Sequence, residues 1–482
     1  MKKNNFKIHS VKYNFIMNII LRTSQFIFPL VTFPYVSRIL GAAPNGQISF
    51  ATSVITYFML LASLGIPTYG IRKCAEVRDS TFELSKTVQE LVIINMLFTL
   101  LSYILLVIFI IIIPKFRENA FLLFICSFSI ILNTIGVDWF YQGIEQYDYI
   151  TVRNIVFKLL ALVLMFLFVH KPSDYLVYAG IMTFGNAGSN ILNLVKLKEY
   201  IIFEKLKRYE LQKHMRAIFT LFLYSSATMI YTNLDQVMLG FMSSNSEVGY
   251  YAATVKIKNI LVNLITALGA VMLPRIAYYL KKNNMSRFRE LISDSFNFIF
   301  VMAVPLAFFF IVESRPIILF LAGDGYKNAV SIMQVIAPSI IFIGLGSVTA
   351  WQMLIPMKLE KYTVIAAILG AFVNLIINFL LIPGFGGIGA ALGTDIAEIV
   401  VFFTQYYFLR DKIKGLLKSK EIIITLLGGG IASIVLIILN DYLSTLNIII
   451  QCLIGFSAFT LCYLVALVTL REPTLKKYLN RV

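Results

Sequence analysis

Long apolar runs separated by short polar segments recur along the whole chain. Fourteen of them are long enough to cross about 30 Å of hydrocarbon as helices. They cover 15–36, 48–69, 88–113, 120–140, 151–170, 175–196, 217–241, 247–273, 291–312, 328–354, 363–382, 388–409, 422–440 and 448–470. Polar positions inside the runs keep helical spacing: Asn14, Asn18, Arg22 and Gln25 fall at i, i+4, i+8 and i+11, one helix face. The pattern predicts an all-α polytopic membrane protein of about 14 transmembrane helices. No polar segment is long enough to fold as a domain of its own, which argues against a glycosyltransferase or a polymerase.

Composition agrees, with 59% hydrophobic and only 14% charged side chains; soluble chains carry about a quarter charged residues. The net charge of +17 would suit nucleic acid, but its placement argues for topology. With the N-terminus cytoplasmic, 31 of the 42 Lys and Arg residues fall in cytoplasmic segments, 6 in the opposite loops and 5 inside spans. This bias places both termini in the cytoplasm. The 141–150 segment, with Glu145 and Asp148 and no cation, is the exception. The basic start before the first run resembles a signal peptide, yet Arg22 interrupts the run and no small-residue cleavage site follows, so a retained first helix is expected. Cys74, Cys126, Cys452 and Cys462 show no metal-ligand spacing, His9, His170 and His214 are scattered, and no nucleotide-binding or hydrolase motif occurs.

Internal similarity suggests duplication. Trp139 and Trp351 each end an apolar run, and LGAAPNGQISFATSVI from Leu40 matches LGFMSSNSEVGYYAATVKI from Leu239. Two six-helix lobes in parallel pseudo-repeat are expected, 1–216 and 217–412, followed by 413–482 with two further helices and a tail.

Charges inside spans mark candidate chemistry, because each is costly in a bilayer. The Asn14–Gln25 face reads as the lining of a wet cavity, against the alternative that Arg22 snorkels to the surface. Lys256 lies with Asn259, Asn263 and Thr266 on a polar stripe, whereas Lys258 points to an apolar one. Asp235, on a face with Tyr224, Thr228, Tyr231 and Thr232, is a counter-ion of Lys256 or Arg22, or else an ion-coupling carboxylate. Lys158, near Arg153, is a weaker candidate. Between Asn374 and Glu398, NLIINFLLIPGFGGIGAALGTDIAE reads as helix, tight Pro-Gly turn and helix. Asn374, Asp395 and Glu398 fall at matching depth, as a hydrogen-bonded brace or a proton-coupling pair. The cavity cations point to an anionic solute moved without ATP hydrolysis.

Several stretches resemble the bacterial polysaccharide flippases of the Wzx type, the polysaccharide-transport branch of the multidrug/oligosaccharidyl-lipid/polysaccharide exporter superfamily. They are Leu40–Asp79, Asp138–Tyr175 (DWFYQGIEQYDYITVRNIVF onward), Leu234–Ile257 and the 374–398 hairpin. The resemblance implies a V-shaped bundle of two lobes working by alternating access, and no enzyme activity. It implies an undecaprenyl-pyrophosphate-linked oligosaccharide substrate in the bacterial cytoplasmic membrane. The polysaccharide polymerase and chain-length machinery are then expected neighbours, with nucleic acid excluded as a partner. By position, Arg22 and Lys256 resemble the cavity cations of related lipid II flippases; Asn18, Gln25 and Asn263 would complete a binding set for a diphosphate head. Asp235, Asp395 and Glu398 would serve as counter-ions or couple a proton or sodium ion, with no other cofactor. A cation-coupled drug antiporter of the same superfamily, or a membrane polymerase, is the alternative reading.

Overall fold

The computed structural model describes residues 9–203 and 208–473, apart from some side chains within helices. Tyr224, Thr228 and Tyr231 of the expected Asp235 face lie outside the described side chains. Among the described residues the chain is helical throughout, without strands. Apolar side chains cover its outside: Leu97, Ile111, Ile112, Phe379 and Leu380 are all more than half exposed. A surface this apolar is stable only against lipid, so the chain is a multi-pass membrane protein.

Among the described residues, ten helices are long and apolar enough to cross a membrane, or eleven if the bent pair Asn245–Ala267 and Met272–Lys281 is one span. Fourteen were expected. Part of the difference is the 54-residue helix Glu360–Ile413, which contains both 363–382 and 388–409. At 1.5 Å per residue it is far longer than a bilayer is thick, and its backbone reverses at Gly386, φ 52° and ψ −129°. Expected spans 175–196 and 217–241 are also helical, though neither is among the ten.

Helix starts follow the local sequence. Ser10, Ser80 and Ser244 accept from Tyr13 N, Glu83 N and Glu247 N as side-chain caps. Ser80/Glu83 and Ser244/Glu247 have the spacing of a capping box. Glu247 does other work: its carboxylate accepts from Gly387 N at 2.7 Å and so holds the distant hairpin.

The chain forms two compact units, divided between Val237 and Met238 within the helix Gln212–Met242. In the first, Leu64, Tyr69, Leu84, Val88, Trp139, Phe140 and Tyr141 form a core. Trp139 reaches it because residue 70 is glycine; a Cβ there would stand 2.5 Å from the indole ring. In the second, Phe288, Ile292, Phe296, Ile299 and Phe402 do the same. The C-terminal helices Ser419–Leu443 and Ile448–Thr469 belong to this second unit. Tyr463 donates to Val301 O at 3.0 Å, and Asn297 donates to Glu472 at 3.0 Å. The two tryptophans that suggested duplication sit in unlike places: Trp139 is 5% exposed and Trp351 57%.

Salt bridges account for the acidic 141–150 segment. Glu145 pairs with Arg78 at 2.6 Å and accepts from Asn14 at 3.0 Å, while Asp148 lies 3.3 Å from His9. Glu145 thereby neutralises Arg78, a cation from another segment.

A second cluster clamps the segment leading into Gln212–Met242. His214, fully buried, bridges the Tyr69 hydroxyl at 2.7 Å and the Glu90 carboxylate at 2.8 Å. The other Glu90 oxygen accepts from Glu210 N at 2.8 Å, and Lys213 lies 3.3 Å from Glu90. Glu90→Ala removes the acceptors of the buried His214 ring and of the Glu210 amide, a loss of about 1–3 kcal/mol. Amide exchange across 209–216 is therefore expected to rise roughly tenfold or more, and unchanged exchange would refute the clamp. Burial pushes the His214 pKa below its ordinary 6.5. The folded state thus disfavours the protonated ring, and docking should weaken as pH falls below that value. Exchange measured from pH 7.5 down to 5.5 reads this directly.

Candidate functional site

Within the first unit the helices line a partly open cavity of about 380 Å³ whose wall carries many polar side chains. Gln25 reaches it from the first helix, Val11–Leu40. Ser129 and Asn133 come from Ala120–Gly136, Asp138 and Gln142 from the short helix Asp138–Gly143, and Asn154 from Tyr147–Phe168. Asn186 and Asn190 close it on another side.

Local backbone breaks aim these side chains. Val137 adopts φ 40° and ψ 40° between two helices, so Asp138 leaves the direction of the preceding span. A non-glycine residue in this left-handed region is held by its surroundings, here the buried Trp139 and Phe140. The π-helical turn Phe184–Gly188 inserts an extra residue and turns Asn186 toward the space, a common device at functional sites. Gly136 makes room for Asn190, whose Cγ would lie 2.5 Å from a Cβ at that position.

One ion pair organises the wall. Arg153, only 4% exposed, pairs with Asp138. It also donates to Ser189 Oγ at 3.0 Å and Asn190 Oδ1 at 2.8 Å. Asn193 donates to the same Asp138 oxygen at 2.8 Å and to the Gly136 carbonyl. A buried guanidinium with partners in several directions is the use to which arginine is best suited. The cavity therefore holds a carboxylate whose charge is already compensated.

The sequence-selected residues divide among three environments. Along the first helix, Asn14 is buried against Glu145, Arg22 is exposed and donates to Asn18 Oδ1 at 3.2 Å, and Gln25 lines the cavity. Asp235, buried, belongs to the first unit, and its charge acts on Tyr57. Lys158 is buried with its ammonium 3.3 Å from Ser24 Oγ.

In the second unit Lys256 is half-buried, and Asn263 is exposed and donates to Asn259 O at 2.7 Å. Lys258 faces the hairpin instead, where its charge, and that of Glu398, act on Asp395. Asp395 also accepts from Ser339, so the carboxylate reaches a third helix, Ser339–Ser347. Asn374 and Asn378, both fully buried, are joined at 3.1 Å. They pack on Gly393, where a Cβ would stand 2.1 Å from Asn378 Oδ1.

Sequence reasoning did not select Asp138 or Arg153 as a pair. The available signal was two opposite charges within 15 residues on consecutive apolar runs, each too costly to bury alone.

Membrane helices that line a polar, charge-compensated cavity form an architecture suited to passing a polar solute through a bilayer. The sequence profile of the family described as "Polysaccharide biosynthesis protein" matches residues 11–280, more than half of the chain, and the protein belongs to that family. A protein of Escherichia coli (strain K12) provisionally named an O-antigen transporter is 24% identical over 404 residues, 83% of this chain and 97% of that protein. Among solved structures, the lipid II flippase MurJ in an inward closed conformation matches with a TM-score of 0.72 and 18% identity, covering 95% of this chain and 99% of that one. An inward-facing multidrug resistance transporter of the MATE family matches at 0.61 and 14%, covering 83% and 98%. The expected MATE-like all-α fold and the membership in the polysaccharide flippases are borne out. The protein is thus a multi-pass membrane protein of the polysaccharide biosynthesis family with a MATE-like fold.

Proposed function

We propose that this protein is a flippase that moves an undecaprenyl-pyrophosphate-linked oligosaccharide from the cytoplasmic to the outer leaflet of a bacterial cytoplasmic membrane by alternating access. Both termini are cytoplasmic in this reading, as the Lys and Arg bias requires. The observation that carries it is the first helix: one face presents the Asn18–Arg22 pair and then Gln25 at the polar cavity, inside a bundle whose outer surface is apolar. Such a face suits a solute with an anionic head and a hydroxyl-rich body. Arg22 and Lys256 pair with diphosphate oxygens, Asn18, Gln25 and Asn263 bond the head and first sugars, and the lipid tail stays in the bilayer. Asp235, Asp395 and Glu398 act as counter-ions or take up a coupling proton or sodium ion. A polysaccharide polymerase and its chain-length machinery would consume the product.

The test is reconstitution in liposomes, with lectin access to the glycan as readout. Arg22→Ala and Lys256→Ala are each expected to cut transport by about tenfold or more, as loss of a charge-assisted contact of roughly 1.5–3 kcal/mol implies. Full activity in both would reject the cationic head site. Asp235→Asn separates its two roles: a coupling residue loses dependence on an ion gradient, whereas a counter-ion loses protein abundance.

A further inference from the structure

We propose that the cavity of the first unit is a sugar subsite selective for an uncharged hexose ring of the transported glycan. The inference rests on the flippase reading and specifies which part of the substrate this cavity takes. Carboxamides converge on it from several separate elements: Gln25, Asn133, Gln142, Asn154, Asn186 and Asn190. Each carboxamide offers two donors and one acceptor group. That complements a sugar hydroxyl, which both donates and accepts, better than it complements an anion or a cation.

The electrostatics point the same way. Asp138 is the single carboxylate among the lining residues, and Arg153 pairs with it from behind. A phosphate or a uronic acid in the cavity would meet the Asp138 carboxylate and no uncompensated cation on the wall. A cation would find the carboxylate already held by Arg153 and Asn193. No cluster of three or more His, Cys, Asp or Glu suited to a metal occurs among the described residues. Apolar wall from Leu21, Ile55 and Met182 leaves a surface for the C–H face of a ring. About 380 Å³ lies at the small end of ligand pockets, room for a sugar ring and not for a whole repeat unit with its lipid.

The experiment measures binding of the full-length protein in nanodiscs to three lipids: bare undecaprenyl diphosphate, the same lipid carrying one neutral hexose (glucose, then galactose), and the corresponding uronic acids. A neutral hexose is expected to tighten binding about tenfold over the bare lipid, the yield of two or three net hydrogen bonds, and oxidation to the uronic acid to cancel that gain. Asn133→Ala and Asn186→Ala should shrink the ratio between hexose-bearing and bare lipid to about twofold, and Asn154→Ala serves if either variant fails to fold. Because the readout is a ratio, a change in the active fraction does not alter it. Equal binding of bare and hexose-bearing lipids, or of neutral and acidic sugars, overturns the subsite while leaving the flippase reading intact. Failure to bind any of the three lipids removes that reading and the subsite with it.

Discussion

Replacing Arg153 with alanine is expected to destabilise the purified protein by about 3–5 kcal/mol, the cost of stranding one partner of a buried ion pair. Arg153 is almost wholly buried, and its guanidinium holds Asp138, Ser189 and Asn190 together. Without it the Asp138 carboxylate keeps only Asn193 as a close partner from that cluster, and the acceptors of Ser189 and Asn190 lose their donor. Unfolding followed by fluorescence is informative because Trp139 adjoins Asp138 in sequence and packs in the same unit's core. The double variant Arg153→Met with Asp138→Leu should recover most of the stability, since paired charges exchanged together for apolar groups are often neutral. It should not recover transport, because the cavity loses a polar wall. Arg153→Lys should fall between, as an ammonium lacks the planar fork that reaches several acceptors at once. Unaltered stability in Arg153→Ala would show that the pair does not organise the cavity.

The second large effect is expected at the hairpin. Gly386 has φ 52° and ψ −129°, near the first central position of a type II′ turn, where glycine is the residue of choice. A Cβ there would stand 2.6 Å from Glu247 Oε2, the same oxygen that accepts from Gly387 N. Gly386→Ala combines backbone strain of about 1–3 kcal/mol with displacement of a charged hydrogen bond of about 1.5–3 kcal/mol. Glu247→Ala loses only the hydrogen bond. In the double variant the alanine methyl no longer meets a carboxylate, so the combined loss should be smaller than the sum, by about 1 kcal/mol or more. Thermal unfolding of the four proteins in one detergent gives the coupling; strict additivity would mean that Glu247 does not brace the turn.

Much of this protein is legible in its amino-acid sequence. Apolar run length determined the class, because backbone groups in lipid must be satisfied within helices. Turn chemistry at Pro383–Gly387 determined where a span reverses. The Arg22 face was legible because helical spacing is a local property. Asn18 and Arg22 are hydrogen-bonded, and Gln25 does reach a polar cavity.

Other features depended on contacts that spacing cannot encode. Glu247 has the position of a capping-box residue, yet its carboxylate serves Gly387, 140 residues away. Asp395 was paired by depth with Asn374, while it accepts from Ser339 and feels the charge of Lys258, both on other helices. The six carboxamides of the cavity lie scattered over 166 positions of sequence, Gln25 to Asn190, and none is exceptional alone. Local sequence determined which segments are helices, where they begin and which way each is polar, because caps, turns and periodicity act within a few residues. Tertiary structure decided which polar groups meet, because burying Asp138 and Arg153 is tolerable only where the fold brings them together.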